Sequence, residues 1–351
     1  MRYLTILLLF LLISCKKEPI TEPKNELYSE WENYFDTLDY ETPANRYSII
    51  SMVKSGDHEL IFSAFNRLDF STTGKISLFT LSNNKVVPID SSQFFTGYSH
   101  LSLNENGIEK HIYTNQDYLF VYDKNISYLS EWSITNLHDT QHSARGQIDS
   151  KGNIWISSNT RTMNDGLHMY NGKAWETWFE GTMIYALCFD RNGILYASTL
   201  PHLDERGIIM KYDYTKWDTV ITCSGSAKWV PCMSFDRENN LWFGVLSMRD
   251  VAPESGDGVY KFDGKNVNSY SIYNSGLPSN SVIDIVIDDK DNKWIGTYSG
   301  GIAKFSPDGN WKVFNKDNTP LHFNSVEHIL VDNKNNIWLT SQFFGLCGLK
   351  E

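Results

Sequence analysis

Five stretches of the chain line up without a gap: "DSKGNIW", "DRNGILY", "DRENNLW", "DDKDNKW" and "DNKNNIW". They begin at Asp149, Asp190, Asp236, Asp288 and Asp332 and close on Trp155, Tyr196, Trp242, Trp294 and Trp338. Self-similarity with a period of about 40–50 residues marks a repeat architecture, in which each unit buries its apolar face only against its neighbours. Before each Asp, alternate positions are mostly apolar, as in Ile285 and Ile287 or Ile329 and Val331, and that period of two is strand behaviour. The Asp and the Gly or Asn behind it suit a turn, because Asp and Asn bond nearby backbone while Gly and Asn tolerate positive φ. The closing aromatic opens a second strand. A Gly-led third strand follows ("DGLHMYNG", "DGVYKFDG", "GGIAKFSPDG"), then a fourth that carries aromatics ("KAWETWF", "NVNSYSIYN", "GNWKVFN"). Four strands per repeat is the signature of a β-propeller blade.

Upstream the pattern degrades. "SHLSLNENGIEKHIYT" keeps Leu101 and Leu103, with Asn104 in the Asp place, but has no tryptophan; "RYSIISMVKSGDHELIFSAF" is fainter and needs an inserted residue. With these two, the chain is expected to be all-β, a seven-bladed propeller of four-stranded antiparallel blades. The last repeat, "DNKNNIWLTSQFFGLCGLKE", stops before its fourth strand. The missing strand is expected from the other end: in "SEWENYFDTLDYETPANRYSII", Trp31 matches Trp311, Tyr34 matches Phe314 and Asn45 matches Asn324. Such a strand closes the ring by covering an exposed sheet edge.

The chain opens "MRYLTILLLFLLISCKKEP". The apolar stretch from Tyr3 to Ile13 is shorter than the roughly 20 residues a membrane-spanning helix needs, and it follows a positive Arg2, as a secretory signal does. Leu12-Ile13-Ser14-Cys15 resembles a bacterial lipobox, which implies lipidation of Cys15. The expected organisation is a lipoprotein signal peptide over 1–14, a polar tether over 15–26 and one propeller domain over 27–351. Outer-membrane placement is favoured, because Lys16 does not match the Asp of an inner-membrane retention signal. The net charge of −11 argues against a nucleic-acid partner, since phosphate-backbone binding draws on clustered Lys and Arg. Beyond Cys15, the residues Cys188, Cys223, Cys232 and Cys347 form no dense framework. Buried free thiols are one reading of them, a Cys223–Cys232 bridge the other.

The Asp-x-x-Gly/Asn-Asn-Ile-Trp-Ile-Gly-Thr run and the linker "NSGLPSN" from Asn274 to Asn280 resemble the two-component regulator propeller repeat. The resemblance is specific over about residues 145–340 and weaker over 28–132. That family forms extracytoplasmic sensors of bacterial hybrid histidine kinases and also stand-alone secreted proteins. For this chain it implies ligand or partner binding and not a kinase in cis, because neither a further β-domain nor a kinase follows the propeller.

No catalytic motif stands out, and no cofactor or resident metal is expected. The turn segments superficially resemble calcium-loop starts but lack the Gly and distal Glu of an EF-hand, so β-turns are expected. Propeller function sits at one mouth of the channel, built from the segments leading into each inner strand and the loops between second and third strands. Four positions before the turn Asp, the inner strands carry Ile49, His100, Arg145, Ala186, Cys232, Asp284 and His328. The ionisable members His100, Arg145, Asp284 and His328 either bind a polar ligand or pair in a solvated tunnel, Asp284 with His328. Buried charge is costly unless it is paired. Among the lead-in residues, His142 and Trp229 suit sugar recognition, whereas Asn280 and Asn324 are expected to bond the linker backbone. The long second-to-third strand loops add Arg161, His202, Arg206, Arg249 and Asp250, and their short equivalents add Tyr298, Phe343 and Phe344.

The leading expectation is a monomeric, lipid-anchored, sensor-like binding propeller that recognises a glycan, peptide or envelope protein. Streptogramin lyases are also seven-bladed propellers with similar Trp-containing repeats, and a metal-dependent lyase using His142, His202 and His328 is the enzyme alternative. A structural subunit of an envelope complex, bound through the blade rim, is the third.

Overall fold

The computed structural model describes residues 31–33, 47–55, 59–66, 76–82, 85–88, 99–105, 108–114, 118–123, 128–133, 146–158, 166–200, 206–225, 228–247, 256–321, 323–332, 334–341 and 345–349, with side chains almost entirely from residue 146 onward. Among them the strands form seven antiparallel sheets. Blades 1 to 6 are consecutive along the chain, from Tyr47–Ser55 in blade 1 to Trp311–Phe314 in blade 6. Blade 7 combines His328–Val331, Ile337–Ser341 and Gly345–Leu349 with Trp31–Asn33. The expected closure is present: Trp31 pairs with Leu349, Glu32 with Gly348 and Asn33 with Cys347. Innermost strands pack in succession around the ring, and that of blade 7 packs back on that of blade 1.

The repeated Asp explains why each of the last five blades starts the same way. In blade 6, Asp288 Oδ1 accepts the backbone N–H groups of Lys290 (2.9 Å) and Asn292 (2.8 Å). Its Oδ2 accepts Asn292 Nδ2 at 2.8 Å and the indole N–H of Trp294 at 2.9 Å. Asp149, Asp236 and Asp332 repeat the arrangement with Trp155, Trp242 and Trp338. These carboxylates are filled by N–H donors, as a β-turn lock requires. The third residue after each Asp is left-handed: Gly152 (φ 83°), Gly193 (78°), Asn239 (63°), Asp291 (65°) and Asn335 (65°). It is the left-handed residue that completes a short hairpin built on a type I turn.

That residue also links blades when it has a side chain. Asn239 Oδ1 accepts the N–H of Arg191 at 2.9 Å, Asp291 Oδ1 that of Arg237 at 3.0 Å, and Asn335 Oδ1 that of Asp289 at 3.1 Å. Gly193 offers no such acceptor, and there Tyr214 of blade 4 donates its hydroxyl to Asp149 of blade 3 at 3.3 Å. Tyr214 holds φ 68° at a turn position where blades 3 and 5 have Gly172 and Gly264.

The core runs between blades. Trp155, Trp242 and Trp294 are fully buried, and from Trp155 and Trp242 aromatic contacts run across the junction to Tyr212 and Phe305. Trp242 stacks on Tyr270 at 5.3 Å, and Phe305 of the next blade stacks on Trp311 at 4.5 Å. Trp155, Trp178, Tyr212 and Trp217 repeat the set between blades 3 and 4. Nearer the axis a Cβ on Gly244 would lie 2.9 Å from Val282 Cγ1 of the following blade, and one on Gly296 2.8 Å from Val326 Cγ1. The Gly of the Trp-Phe-Gly and Trp-Ile-Gly runs is therefore the space into which the next inner strand seats.

All four cysteines downstream of the tether are free and buried. Burial pushes the Cys188 thiol up, helped by the Asp190 charge, and pushes Cys223 up to about 11. The Cys223–Cys232 bridge is thus replaced by two packed thiols, both inside one apolar region or its neighbour.

Candidate functional site

The two faces of the disc differ. The turn face is made of the Asp hairpins, whose repeated carboxylates are taken up by N–H donors while Lys151, Arg191, Arg237 and Lys290 stay exposed. The mouth face carries the lead-in segments and the loops between second and third strands. There Gly207 donates its N–H to the Lys228 carbonyl (2.9 Å), Gly258 to that of Asn280 (3.0 Å) and Gly301 to that of Asn324 (2.8 Å), each bond joining one blade to the next. The Oδ1 atoms of Asn280 and Asn324 accept the linker N–H groups of Ile272 and Lys316, both at 2.9 Å. These asparagines hold the linker, as expected.

Register places the inner-strand residues differently from simple alternation. The ladder shifts between Ile184 and Leu187 in blade 4 and between Val282 and Asp284 in blade 6. Blade 1 shifts between Ile49 and Ser51, and because Ser55 pairs with Glu59 at its hairpin, Ser51 takes the place expected for Ile49. In blade 5 the inner strand is interrupted at the same level, between Lys228–Trp229 and Met233–Phe235. A β-bulge re-aims a side chain. Accordingly Ala186 and Cys232 are buried between blades, and Asp284 is only 8% exposed. Asp284 Oδ2 accepts the N–H of Ile329 in blade 7 at 2.8 Å, beside His328, and its Oδ1 accepts the N–H of Ile285. His328 is half-buried.

One position earlier the side chains are less enclosed. Tyr185 is half-buried between the buried Ile184 and Ala186, and Ile283 between the buried Val282 and Asp284; Glu327 is half-buried next to the buried Val326. Tyr185 meets Trp229 edge to face at 4.2 Å. Sequence reasoning found Trp229 and missed Tyr185, because only the bulge, invisible in the alternation, turns it out. Beside Trp229, Lys228 forms an ion pair with Asp257.

Arg206 is exposed, and Tyr298 is 54% exposed on a tight loop where its N–H bonds the Ser281 carbonyl and Thr297 Oγ1 bonds the Gly301 carbonyl. The hydroxyls of Ser281, Thr340 and Ser341, all near the mouth ends of blades 6 and 7, are buried with no hydrogen-bond partner among the described residues. Such a group costs about 1–3 kcal/mol. His100 lies on the inner strand of blade 2, but its side chain is outside the described residues, as are Cys15, His142, Arg145, Arg161, His202, Arg249, Asp250, Phe343 and Phe344. Among the described residues no three His, Cys, Asp or Glu side chains come together as a metal site.

No protein-family model matches the chain, and no curated protein does. Solved structures do. The extracellular domain of the hybrid two-component system BT4673 from B. thetaiotaomicron aligns over 92% of this chain with a TM-score of 0.64 at 13% identity. PorZ, a surface component of the type-IX secretion system of Porphyromonas gingivalis, aligns over 89% with a TM-score of 0.61 at 15% identity. The chain spans 40% of the first and 48% of the second. YCF48, solved bound to a D1 peptide, aligns over 95% of this chain and 100% of its own length, with a TM-score of 0.59 at 12% identity. At these identities the likeness is one of fold: the chain is a β-propeller built like the extracellular domains of hybrid two-component systems.

Proposed function

We propose that the chain is a lipid-anchored, extracytoplasmic binding propeller that takes a ligand or partner protein at the channel mouth. The observation that carries this reading is the asymmetry of the disc. On the turn face most of the repeated carboxylates are filled by N–H donors, whereas the mouth face carries the exposed Arg206 and Tyr298 and the half-buried pair Tyr185 and Trp229. Rigid aromatics and Arg on a preorganised surface are what recognition surfaces use. The extracellular placement of the similar BT4673 domain and the surface role of PorZ agree with an envelope location. YCF48, of matching length, holds a peptide, so one propeller of this size suffices for binding.

The test is site-specific photocrosslinking in cells at Tyr298 on the mouth face and at Lys290 on the turn face. Partner adducts at Tyr298 and none at Lys290 are expected. Adducts confined to Lys290 would overturn the reading. Labelling with a radioactive fatty acid, lost in Cys15→Ala, tests the anchor.

A further inference from the structure

We infer that the turn face of the disc lies against the lipid surface that holds the anchor, with anionic phospholipid headgroups as its partner, and that the mouth points away from the membrane. The inference rests on the proposed anchor at Cys15 and adds an orientation to it. The first observation is where the N-terminal chain meets the ring. Val331, directly before the Asp332 hairpin, pairs with Ile337, and Ile337 pairs with Leu349, so Leu349 stands at the turn-face end of its strand. Trp31 pairs with Leu349 and Asn33 with Cys347, so the fourth strand of blade 7 runs from the turn face toward the mouth. In blade 6 the place before Trp311 is filled by the turn-face hairpin 306–310, which ties it back to Phe305. In blade 7 the segment that begins at Cys15 takes that place. From Cys15 to Trp31 the chain spans at most about 55 Å even fully extended, and it meets the ring on the turn face.

The second observation is charge. Directly behind the repeated Asp, blades 3 to 7 expose Lys151, Arg191, Arg237, Lys290 and Lys334, against the acids Glu238 and Asp289. The hairpins that carry them are joined into one belt: the N–H groups of Arg191, Arg237 and Asp289 bond Asn239, Asp291 and Asn335 of the following blade, and Tyr214 of blade 4 bonds Asp149 of blade 3. The outer hairpins of the face are balanced, with Lys173, Lys216 and Lys265 exposed against Asp213, Asp263 and Asp308. Blades 1 and 2 bring Glu59, Glu105 and Glu109 to this end beside Lys54 and Lys110, so the basic part of the face belongs to blades 3 to 7. That excess runs against the balance of a chain of net charge −11. A lipid surface asks for charge near it and not for a free hydrogen-bond donor at one point. Arg191 Nε donates to the Asp236 carbonyl at 2.7 Å, and the Lys151 ammonium lies 4.0 Å over the Tyr214 ring, yet both residues remain exposed and charged. Basic residues beside an anchored segment are drawn to anionic headgroups, and the attraction decays within a Debye length. The anchor supplies the nearness that this short range demands.

The test couples Cys15 of the mature chain to a maleimide phospholipid in vesicles, which sets the anchor in place independently of lipidation in cells; the four other cysteines are buried. A donor dye is carried by p-azidophenylalanine at position 290 on the turn face or at position 298 on the mouth face, and the acceptor is a headgroup-labelled lipid. The strand Lys293–Thr297 separates the two positions by about 17 Å. On vesicles of phosphatidylcholine with phosphatidylglycerol at ~0.15 M salt, energy transfer is expected to be roughly twofold higher from 290 than from 298, and the difference should shrink at ~1 M salt, where the Debye length falls from about 8 Å to about 3 Å. Arg237→Glu with Lys334→Glu should shrink it too, with a melting temperature like the parent's; Arg237→Gln with Lys334→Gln replaces that pair if it does not fold. Equal transfer from both positions, or more from 298, overturns the inference. A difference that neither salt, charge substitution nor omission of phosphatidylglycerol alters overturns it as well. Absence of fatty-acid label on Cys15 in cells removes the anchor reading and the inference with it, a failure that the vesicle result keeps distinct from a wrong orientation.

Discussion

Replacing Asp288 by Asn isolates what the repeated carboxylate contributes. The change keeps size and one acceptor. Asn Oδ1 could still take the N–H groups of Lys290 and Asn292, but its NH2 would then face two donors, Asn292 Nδ2 and the Trp294 indole, now 2.8 and 2.9 Å from Oδ2. Flipping the amide moves the conflict to the two backbone groups. Two charge-assisted bonds are lost either way, each contributing about 1.5–3 kcal/mol. Trp294 is fully buried, so its N–H cannot turn to water. Partial relaxation leaves an expected loss of roughly 3–4 kcal/mol. Asp190→Asn supplies the comparison. The residue six positions on is Tyr196, and Asp190 Oδ2 receives only Asn192 Nδ2 at 3.4 Å and Asn239 Nδ2 at 3.3 Å. Those long bonds, one exposed and one part-buried, lead to an expected loss of about 1 kcal/mol or less. Urea unfolding followed by tryptophan fluorescence, with midpoints compared at equal slope, measures the difference. If the two variants lose the same stability within about 0.5 kcal/mol, the Asp–Trp bond is not what makes the motif stabilising.

Deleting residues 27–36 should lower the melting temperature of the whole ring in calorimetry, since it uncovers the edge of Gly345–Leu349; a parent-like melt would refute the closure. Lys293, 5% exposed in blade 6, bonds the Asp291 carboxylate at 2.8 Å and lies 4.0 Å from Asp236 Oδ2 in blade 5. Lys293→Ala should cost roughly 1–3 kcal/mol in the same urea assay, because it removes the buried ammonium bonded to Asp291 while Asp236 keeps its N–H donors and Lys261. At Asp236, burial favours the neutral form, yet the bonds from Trp242 and Asn240 and the Lys293 charge outweigh it and hold the carboxyl below its ordinary range. A depressed folded pKa gives stability that is complete above the unfolded value of about 3.9 and is lost as pH falls through the folded one. Asp236→Asn should therefore flatten the acid limb of the stability–pH curve measured by urea midpoints below about pH 5. The four buried thiols should resist a thiol reagent in the native protein and all react in denaturant without reductant, which a hidden disulfide would prevent.

Much of the fold is legible in the sequence because the rule that makes a blade is local. An Asp, a left-handed residue three positions on and an indole three further fold the same hairpin wherever they occur, and even the blade 7 closure follows from matching Trp31 to Trp311. What escaped is non-local. The bulge at Tyr185 is set by how the inner strand of blade 4 seats against its neighbours, and one extra residue moves every side chain before it to the other face. Asn239, Asp291 and Asn335 read as turn formers, and nothing in their own hairpins shows that each also holds a backbone N–H of the preceding blade. Conversely, Asn280 and Asn324 were legible as linker bonds because both donor and acceptor lie within one linker.

The closure has a mechanical consequence. Blades 1 to 6 each use one continuous stretch of chain, but among the described residues blade 7 joins the two ends of the chain through the ladder of Trp31, Glu32 and Asn33 on Leu349, Gly348 and Cys347. That seam follows directly after the segment proposed to run to the membrane. In the proposed anchored form, tension on the segment before Trp31 loads these three residue pairs. Under that load the seam in blade 7 is the place expected to give way, with blades 4 to 6 away from it around the ring.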